Sequence, residues 1–509
     1  VLYSKMKKYL NLGKFLLFII AIQNIVITEG LLGSNEKRLV QLQDLNNENN
    51  ELLIDLRGNK SKKEITVSYK NIESILIKNN LEIKKASKAI KEADLNLNSV
   101  KSKYNIKLDF DAAVPQYTYG KVYDPDQNLN TEQTISSATI GISLPLYDPV
   151  KKPEINSAKK RLEVAKNNYE ITKKDVLLEA MRRLIVFNSS YQEVKNGNQS
   201  VNLSLLGLKD AEAKFENGIG NKLDLLEAKI QYKNDQQFLV NKLNSFKIAA
   251  NSLKTILYLN EDSSLKFDQD QEVIGWWNYS LKENIIIGKE NSLNLMNVIS
   301  RQLIRLDESK IAIGRSRPNL FIRNESTSSF SKGESLVFEV NEDAYQNSYT
   351  NSISLNFQWD VFDGGVSKNE FELRKLQANV EELNYEIQSN LLEEEIVKRF
   401  EILKADEEKI FISKEELNAA REAMELSRLR LDNGVAAQRE LINSQKDLTA
   451  AKSKFSANIA NYNISLMSLN RLTGLQITGL CERATMLTKE NKVCFLDNSK
   501  TNHKNGVIY

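Results

Sequence analysis

The stretch ISLNFQWDV (353–361), followed at once by FDGG (362–365) and VSKNEFELRKLQANVEELNYEI (366–387), changes its period within a few residues. Ile353, Leu355, Phe357, Trp359 and Val361 alternate with Ser354, Asn356, Gln358 and Asp360. A period of two describes a strand with one apolar and one polar face. Beyond the glycines, Leu376, Val380, Leu383 and Ile387 are spaced 4-3-4, the heptad spacing of a coiled-coil seam. The strand therefore feeds a helix predicted over about 366–431, which at roughly 1.5 Å per residue reaches nearly 100 Å. No globular core is that thick. Asn433-Gly434 then offers a left-handed C-cap, and a second helix is predicted to return over about 438–473.

The same text is written once before. NYEI occurs at 168–171 and 384–387, and the offset of 216 also carries Asn217-Gly218 onto Asn433-Gly434 and LKTILYL (253–259) onto LNRLTGL (469–475). Upstream, LPLYD (144–148) pairs with WDVFD (359–363), and Ser102-Lys103-Tyr104-Asn105 with Ser316-Arg317-Pro318-Asn319. Two copies at this spacing are a duplicated domain. Each copy is predicted to open with a helix (about 64–103 and 283–315). Two strands follow, separated by polar segments read as exposed loops (about 120–134 and 331–348). A long helix (about 151–215 and 366–431) and a return helix (about 222–258 and 438–473) complete each copy. In copy one, 106–111 and 138–146 carry the alternation; in copy two, 319–330 and 353–361 do. The repeats are placed at 64–260 and 283–475, with a linker at 261–282 and a tail at 476–509.

Composition fits this reading and excludes others. The chain has 509 residues with only 20 Gly and 6 Pro, and the prolines sit at 115, 125, 145, 149, 153 and 318, outside the long helices except near their starts. Charged residues are 27 % and apolar ones 41 %, which fits neither a disordered polyelectrolyte nor a polytopic helical membrane protein. A net charge of +3 gives no argument for nucleic acid. The single histidine, His503, lies in a polar tail, so a His-based triad or a multi-His metal site is not expected. With no nucleophile or phosphate-binding motif either, neither an enzyme nor a bound metal or cofactor is expected.

Lys5, Lys7 and Lys8 precede the apolar run FLLFIIAIQNIVI (15–27), which predicts a secretory signal over 1–30. A polar leader follows at 31–63. Export makes a disulfide between Cys481 and Cys494 the expectation, worth roughly 2–3 kcal/mol by loop entropy. Glu393-Glu394-Glu395 reads as a solvated helix face, and Trp276, Trp277 and Tyr279 in the linker as local packing.

Four amphipathic strands cannot close on themselves, so their edges need partners. Two chains would supply eight strands and three would supply twelve, both acceptable counts for an outer-membrane barrel. A soluble β-sandwich cap on a coiled-coil stalk is the alternative. For the carboxylates after the turns, Asp224 and Glu440, two readings stand: helix capping, with Asn221 as the cap, or lining of a pore.

The duplication, the Ser316-Arg317-Pro318-Asn319-Leu320 element before a strand, Phe362-Asp363-Gly364-Gly365 before a long helix, and the Phe215-Glu216-Asn217-Gly218 and Leu431-Asp432-Asn433-Gly434 turns together resemble the TolC-type outer membrane efflux proteins over about 64–475. The resemblance implies a mainly α fold with β. In it, a homotrimer builds one 12-stranded barrel in the outer membrane lipid, standing on a periplasmic α-helical tunnel. It implies an exit duct for a tripartite efflux or type I secretion system, partnered by a periplasmic adaptor and an inner-membrane pump or ABC exporter. A soluble periplasmic scaffold with β caps is the rival. By resemblance, Asn217, Gly218, Asn433 and Gly434 form tip turns where the adaptor docks, and Asp224 and Glu440 are gate carboxylates. Asn443 stands where the family pattern has a further carboxylate, and Leu431 and Ala436 stand where familiar members carry a Tyr and an Arg that tie the tip closed.

Overall fold

The computed structural model describes residues 64–123, 128–260, 263–267, 271–333, 345–475 and 477. The expected signal (1–30), the leader (31–63) and the Cys481–Cys494 disulfide lie outside the described residues. Of the described residues, those of 66–260, 265–333 and 345–477 belong to one compact unit, and 64–65 with 263–264 to another.

The opening helix expected over 64–103 is three elements. Glu64–Val67 is a short strand (β1), followed by α1 (Ile72–Asn79) and α2 (Leu81–Ser102). Asn80 makes the break: its backbone is extended, its Oδ1 accepts from the amides of Glu82 and Ile83 at 2.9 and 3.1 Å, and its Nδ2 donates to the Ile256 carbonyl at 3.1 Å. An N-cap inside an apolar period starts a new helix. Next come β2 (Lys107–Tyr123), β3 (Asn128–Tyr147), α3 (Lys151–Glu216) and α4 (Lys222–Leu257). A strand β4 (Ser264–Phe267) shares a two-stranded sheet with β1.

Copy two opens with α5 (Leu281–Glu290) and α6 (Leu293–Arg315), where one helix over 283–315 was expected. Ser280 and Glu283 form a capping box at the first, and the Ser292 hydroxyl accepts from the Leu295 amide at the second. The rest is β5 (Asn319–Gly333), β6 (Tyr345–Gln358), α7 (Val366–Asp432) and α8 (Gln438–Thr473). Both long helices end within one residue of their predicted limits.

The strands β2, β3, β5 and β6 form one antiparallel sheet in the order β2-β3-β5-β6. Pairing runs from Lys107↔Ser143 to Tyr123↔Asn128 and from Asn319↔Gln358 to Lys332↔Tyr345. The described parts of the polar segments read as loops, residues 120–123, 128–134, 331–333 and 345–348, are therefore strand. Backbone pairing is indifferent to polar side chains, and a sheet with one wet face tolerates them. At the opposite end each strand continues into a helix, and Gly364 and Gly365, at φ +68° and +88°, turn β6 into α7. The Asp363 carboxylate accepts from the amides of Gly365 and Ser367 at 2.9 and 2.8 Å; hydrogen bonding, from the Ser367 side chain first and then from these amides, holds it below the usual carboxylate range.

Within this unit α3 packs against α2, α4, α6 and α8, and α7 against α6 and α8. The largest core lies where the linker meets α7 and α8: Trp276 and Trp277 are 5 % and 3 % exposed, against Ile396, Leu403, Ile410, Tyr462, Leu466 and Leu469. Trp276 lies 5.3 Å from the Tyr462 ring, and the Tyr462 hydroxyl donates to the Gly275 carbonyl at 3.1 Å. The seam residues Leu376, Val380, Leu383 and Ile387 are instead 48–61 % exposed within the chain.

Candidate functional site

The sheet has two chemically different faces. Residues directly opposite one another share a face, so the register places Leu108, Phe110, Ile140, Ile142, Leu144, Ile322, Ile353, Leu355 and Phe357 on one side. All but the partly buried Leu144 are exposed, Ile353 by 77 %. Toward the strand turns the same face carries Tyr117, Tyr119, Phe330, Tyr345 and Tyr349, and toward the helices it ends at Phe357, with the half-exposed Trp359 just beyond the strand. Ten residues separate Trp359 from Tyr349, about 33 Å of extended chain; at the roughly 40° tilt of strands in a barrel this would be about 25 Å of height. That is the height of an apolar band between two aromatic girdles. The band is interrupted on β5, where Asn324 and Ser326 hydrogen-bond to Asn351. Among the described residues the outer edges of β2 and β6 are unpaired.

The opposite face is polar. Across it Arg323 pairs with Asp109 at 3.4 Å and Glu325 at 3.1 Å, and the Thr139 and Thr327 hydroxyls meet at 3.0 Å. Asp109, Gly141 and Glu325 are in register on β2, β3 and β5. A Cβ on Gly141 would fall 2.3 Å from Asp109 Oδ2, so the absence of a side chain lets the carboxylate lie over β3.

At the far ends of the helices the two turns repeat each other. Gly218 and Gly434 have φ of +76° and +71°, the left-handed region that favours glycine. The preceding asparagine folds back in each: Asn217 Nδ2 donates to the Ala213 carbonyl and Asn433 Nδ2 to the Leu429 carbonyl, both at 2.8 Å. The return helices differ. Asn221 Oδ1 accepts from the Asp224 amide at 2.8 Å and caps α4, whereas Ala437 at the start of α8 offers no side-chain cap.

Asp224 and Glu440 each stand in the first turn of a return helix, and among the described residues they share no hydrogen bond. Glu440 is ion-paired to Arg430 across its own turn at 2.9 Å. The neighbouring Arg439 reaches Glu227 of α4 at 2.7 Å and so ties the two hairpins together. Sequence reading missed Arg430, Arg439 and Glu227, because the last pair is 212 residues apart and carries no local signal.

Deeper along the helices is a buried polar junction. Asp235 accepts from Gln231 and Gln445, Gln445 also donates to the Ser200 carbonyl, and the Ser200 and Thr449 hydroxyls meet at 2.8 Å. Burial pushes the Asp235 carboxyl above its usual range, against the opposing pull of Ser204, Gln231 and Lys446.

Among the described residues no group of His, Cys, Asp or Glu side chains is placed to hold a metal ion, and no helix is long and apolar enough to cross a membrane.

The family described as outer membrane efflux protein matches residues 74–257 and 323–475. A comparison with curated protein sequences returns no match. Among solved structures, the chain is similar to the outer membrane protein VceC of Vibrio cholerae at TM-score 0.64 and 12 % identity, over 80 % of this chain and 96 % of that one. The CmeC outer membrane channel of Campylobacter jejuni matches at TM-score 0.64 and 14 % identity, over 80 % and 85 %. The open state of the Neisseria gonorrhoeae MtrE outer membrane channel matches at TM-score 0.59 and 12 % identity, over 80 % and 88 %.

Proposed function

Because this chain belongs to the outer membrane efflux protein family, we propose that it is the exit duct of a tripartite efflux or type I secretion system. The observation that carries the reading is the amphipathic four-stranded sheet with two open edges, each strand continuous with a helix. Three copies would close twelve strands into one barrel with the apolar face toward lipid, and the helices would extend the conduit into the periplasm. The repeats at 64–260 and 283–475 each contribute one hairpin of strands and one of helices, joined by the linker at 261–282.

The functional acts are conduction and gating, with no bond chemistry. We place the gate at the helical turns, where Glu440 and Asp224 stand. The Arg430–Glu440 and Arg439–Glu227 pairs would hold the return helices in place. The turns at Asn217-Gly218 and Asn433-Gly434 present exposed backbone to a periplasmic adaptor, which would connect the duct to an inner-membrane pump or ABC exporter.

Membrane fractionation with planar-bilayer recording tests the reading. Recovery in the outer membrane with discrete conductance steps is the expected result. Recovery in the soluble periplasmic fraction without conductance would establish the scaffold with β caps.

A further inference from the structure

Resting on the duct reading, we propose that ionic selectivity is set inside the sheet, by a charged band organised around Arg323, and not at the helical turns. Among the described residues the polar face of the sheet carries charge at five positions: Lys107, Asp109 and Asp111 on β2, and Arg323 and Glu325 on β5. They fill three successive rows. Lys107 is in line with Ser143 and Arg323, Asp109 with Gly141 and Glu325, and Asp111 with Thr139 and Thr327. The next row toward the strand turns, Ala113, Ser137, Ser329 and Ser348, is uncharged.

The band is built, as the middle strand shows. β2 and β5 are two strand spacings apart, about 9.5 Å, and Arg323 nevertheless meets Asp109 at 3.4 Å. It does so over Gly141, where any side chain would displace the Asp109 carboxylate. Glu325 at 3.1 Å holds the guanidinium from the same strand. Arg323 is thus fixed between two carboxylates and cannot neutralise both. Asp111 forms no hydrogen bond or ion pair among the described residues, so three carboxylates face two cations and each chain contributes one net negative charge.

The turns are poorer in net field. Glu440 is matched by Arg430 at 2.9 Å, and Asp224 lies at a helix N-terminus whose dipole offsets part of its charge. A twelve-stranded barrel is wide, so wall charges act on passing ions only within a Debye length, about 10 Å at 0.1 M salt and about 30 Å at 0.01 M. Cation preference should therefore grow as salt is lowered.

The test is reversal-potential measurement in planar bilayers under a KCl gradient, with the full chain. At a mean salt of about 0.01 M, where screening is weak, Arg323→Gln is expected to raise the potassium-to-chloride permeability ratio about twofold or more. Asp109→Asn combined with Glu325→Gln is expected to reverse the preference toward chloride. Asp111→Asn breaks no contact within the described chain and keeps the test valid if the double variant does not fold; it is expected to bring the ratio close to one. Unchanged reversal potentials in the Arg323 and Asp111 variants, with a shift in Glu440→Gln, would place the filter at the turns and overturn the proposal. A wild-type chain that conducts nothing would instead overturn the duct reading on which it rests.

Discussion

Asp235 is 7 % exposed where α3, α4 and α8 meet, and its carboxyl is raised by burial. A carboxyl raised in the folded chain contributes stability below its unfolded value, near 3.9, and that contribution is lost as pH rises through the folded value. Above that range the ionised group is a cost to the junction. Asp235→Asn keeps an acceptor for Gln445, and once the Gln231 amide, which now donates to Asp235, turns over, the new amide can donate to Gln231 Oε1, which has no partner. Thermal melts should therefore show the variant more stable than wild type at pH 8, with the difference shrinking toward pH 4. Capping gives a second prediction, since the two copies differ there. Asn221→Ala should cost about 1 kcal/mol, and Ala437→Asn should gain a similar amount, read as amide-exchange protection in the first turns of α4 and α8. The sequence already showed the Asn-Gly turns and Asn221 because their partners lie within four residues. It did not show Arg323 over Gly141: a glycine in a strand announces a close approach, but the approaching groups come from residues 214 apart.

Among the elements, long helices and alternating strands were legible, because periodicity survives any tertiary context. The breaks at Asn80 and Ser292 were not, since the apolar period continues through both and only the cap hydrogen bonds interrupt it. The lengths of β2 and β3 were also hidden, as ladder pairing does not require apolar side chains. The linker tryptophans were readable as packing, and the structure gives that packing a location. Truncating Trp276, which lies against Phe411 and Tyr462, should destabilise the junction of linker, α7 and α8 by about 3–5 kcal/mol. Denaturant titration followed by Trp277 fluorescence would measure it.

For the whole molecule, the exposed seam Leu376, Val380, Leu383 and Ile387 matters most. Heptad spacing was plain in the sequence; that the described residues of the chain leave the seam half-exposed was not. In the proposed trimer it faces a neighbouring copy, so Leu376→Glu with Leu383→Glu should shift the protein from trimer to monomer. Light scattering of detergent-solubilised protein would detect the change, while an unaltered trimer would place the contacts between copies elsewhere.

The central seam of the sheet also dictates an order of events during maturation. Thr139 and Thr327, whose hydroxyls meet across β3 and β5, are 188 residues apart in the chain, whereas each helical hairpin closes on itself through a short turn. Contacts with so large a separation must first overcome the entropy of closing the intervening loop. Each helical hairpin can therefore form independently, whereas the sheet is completed only once the chain is available as far as β6, which ends at Gln358. On the duct reading, insertion into lipid would be the last act, which would keep the apolar face from being presented before its neighbours exist.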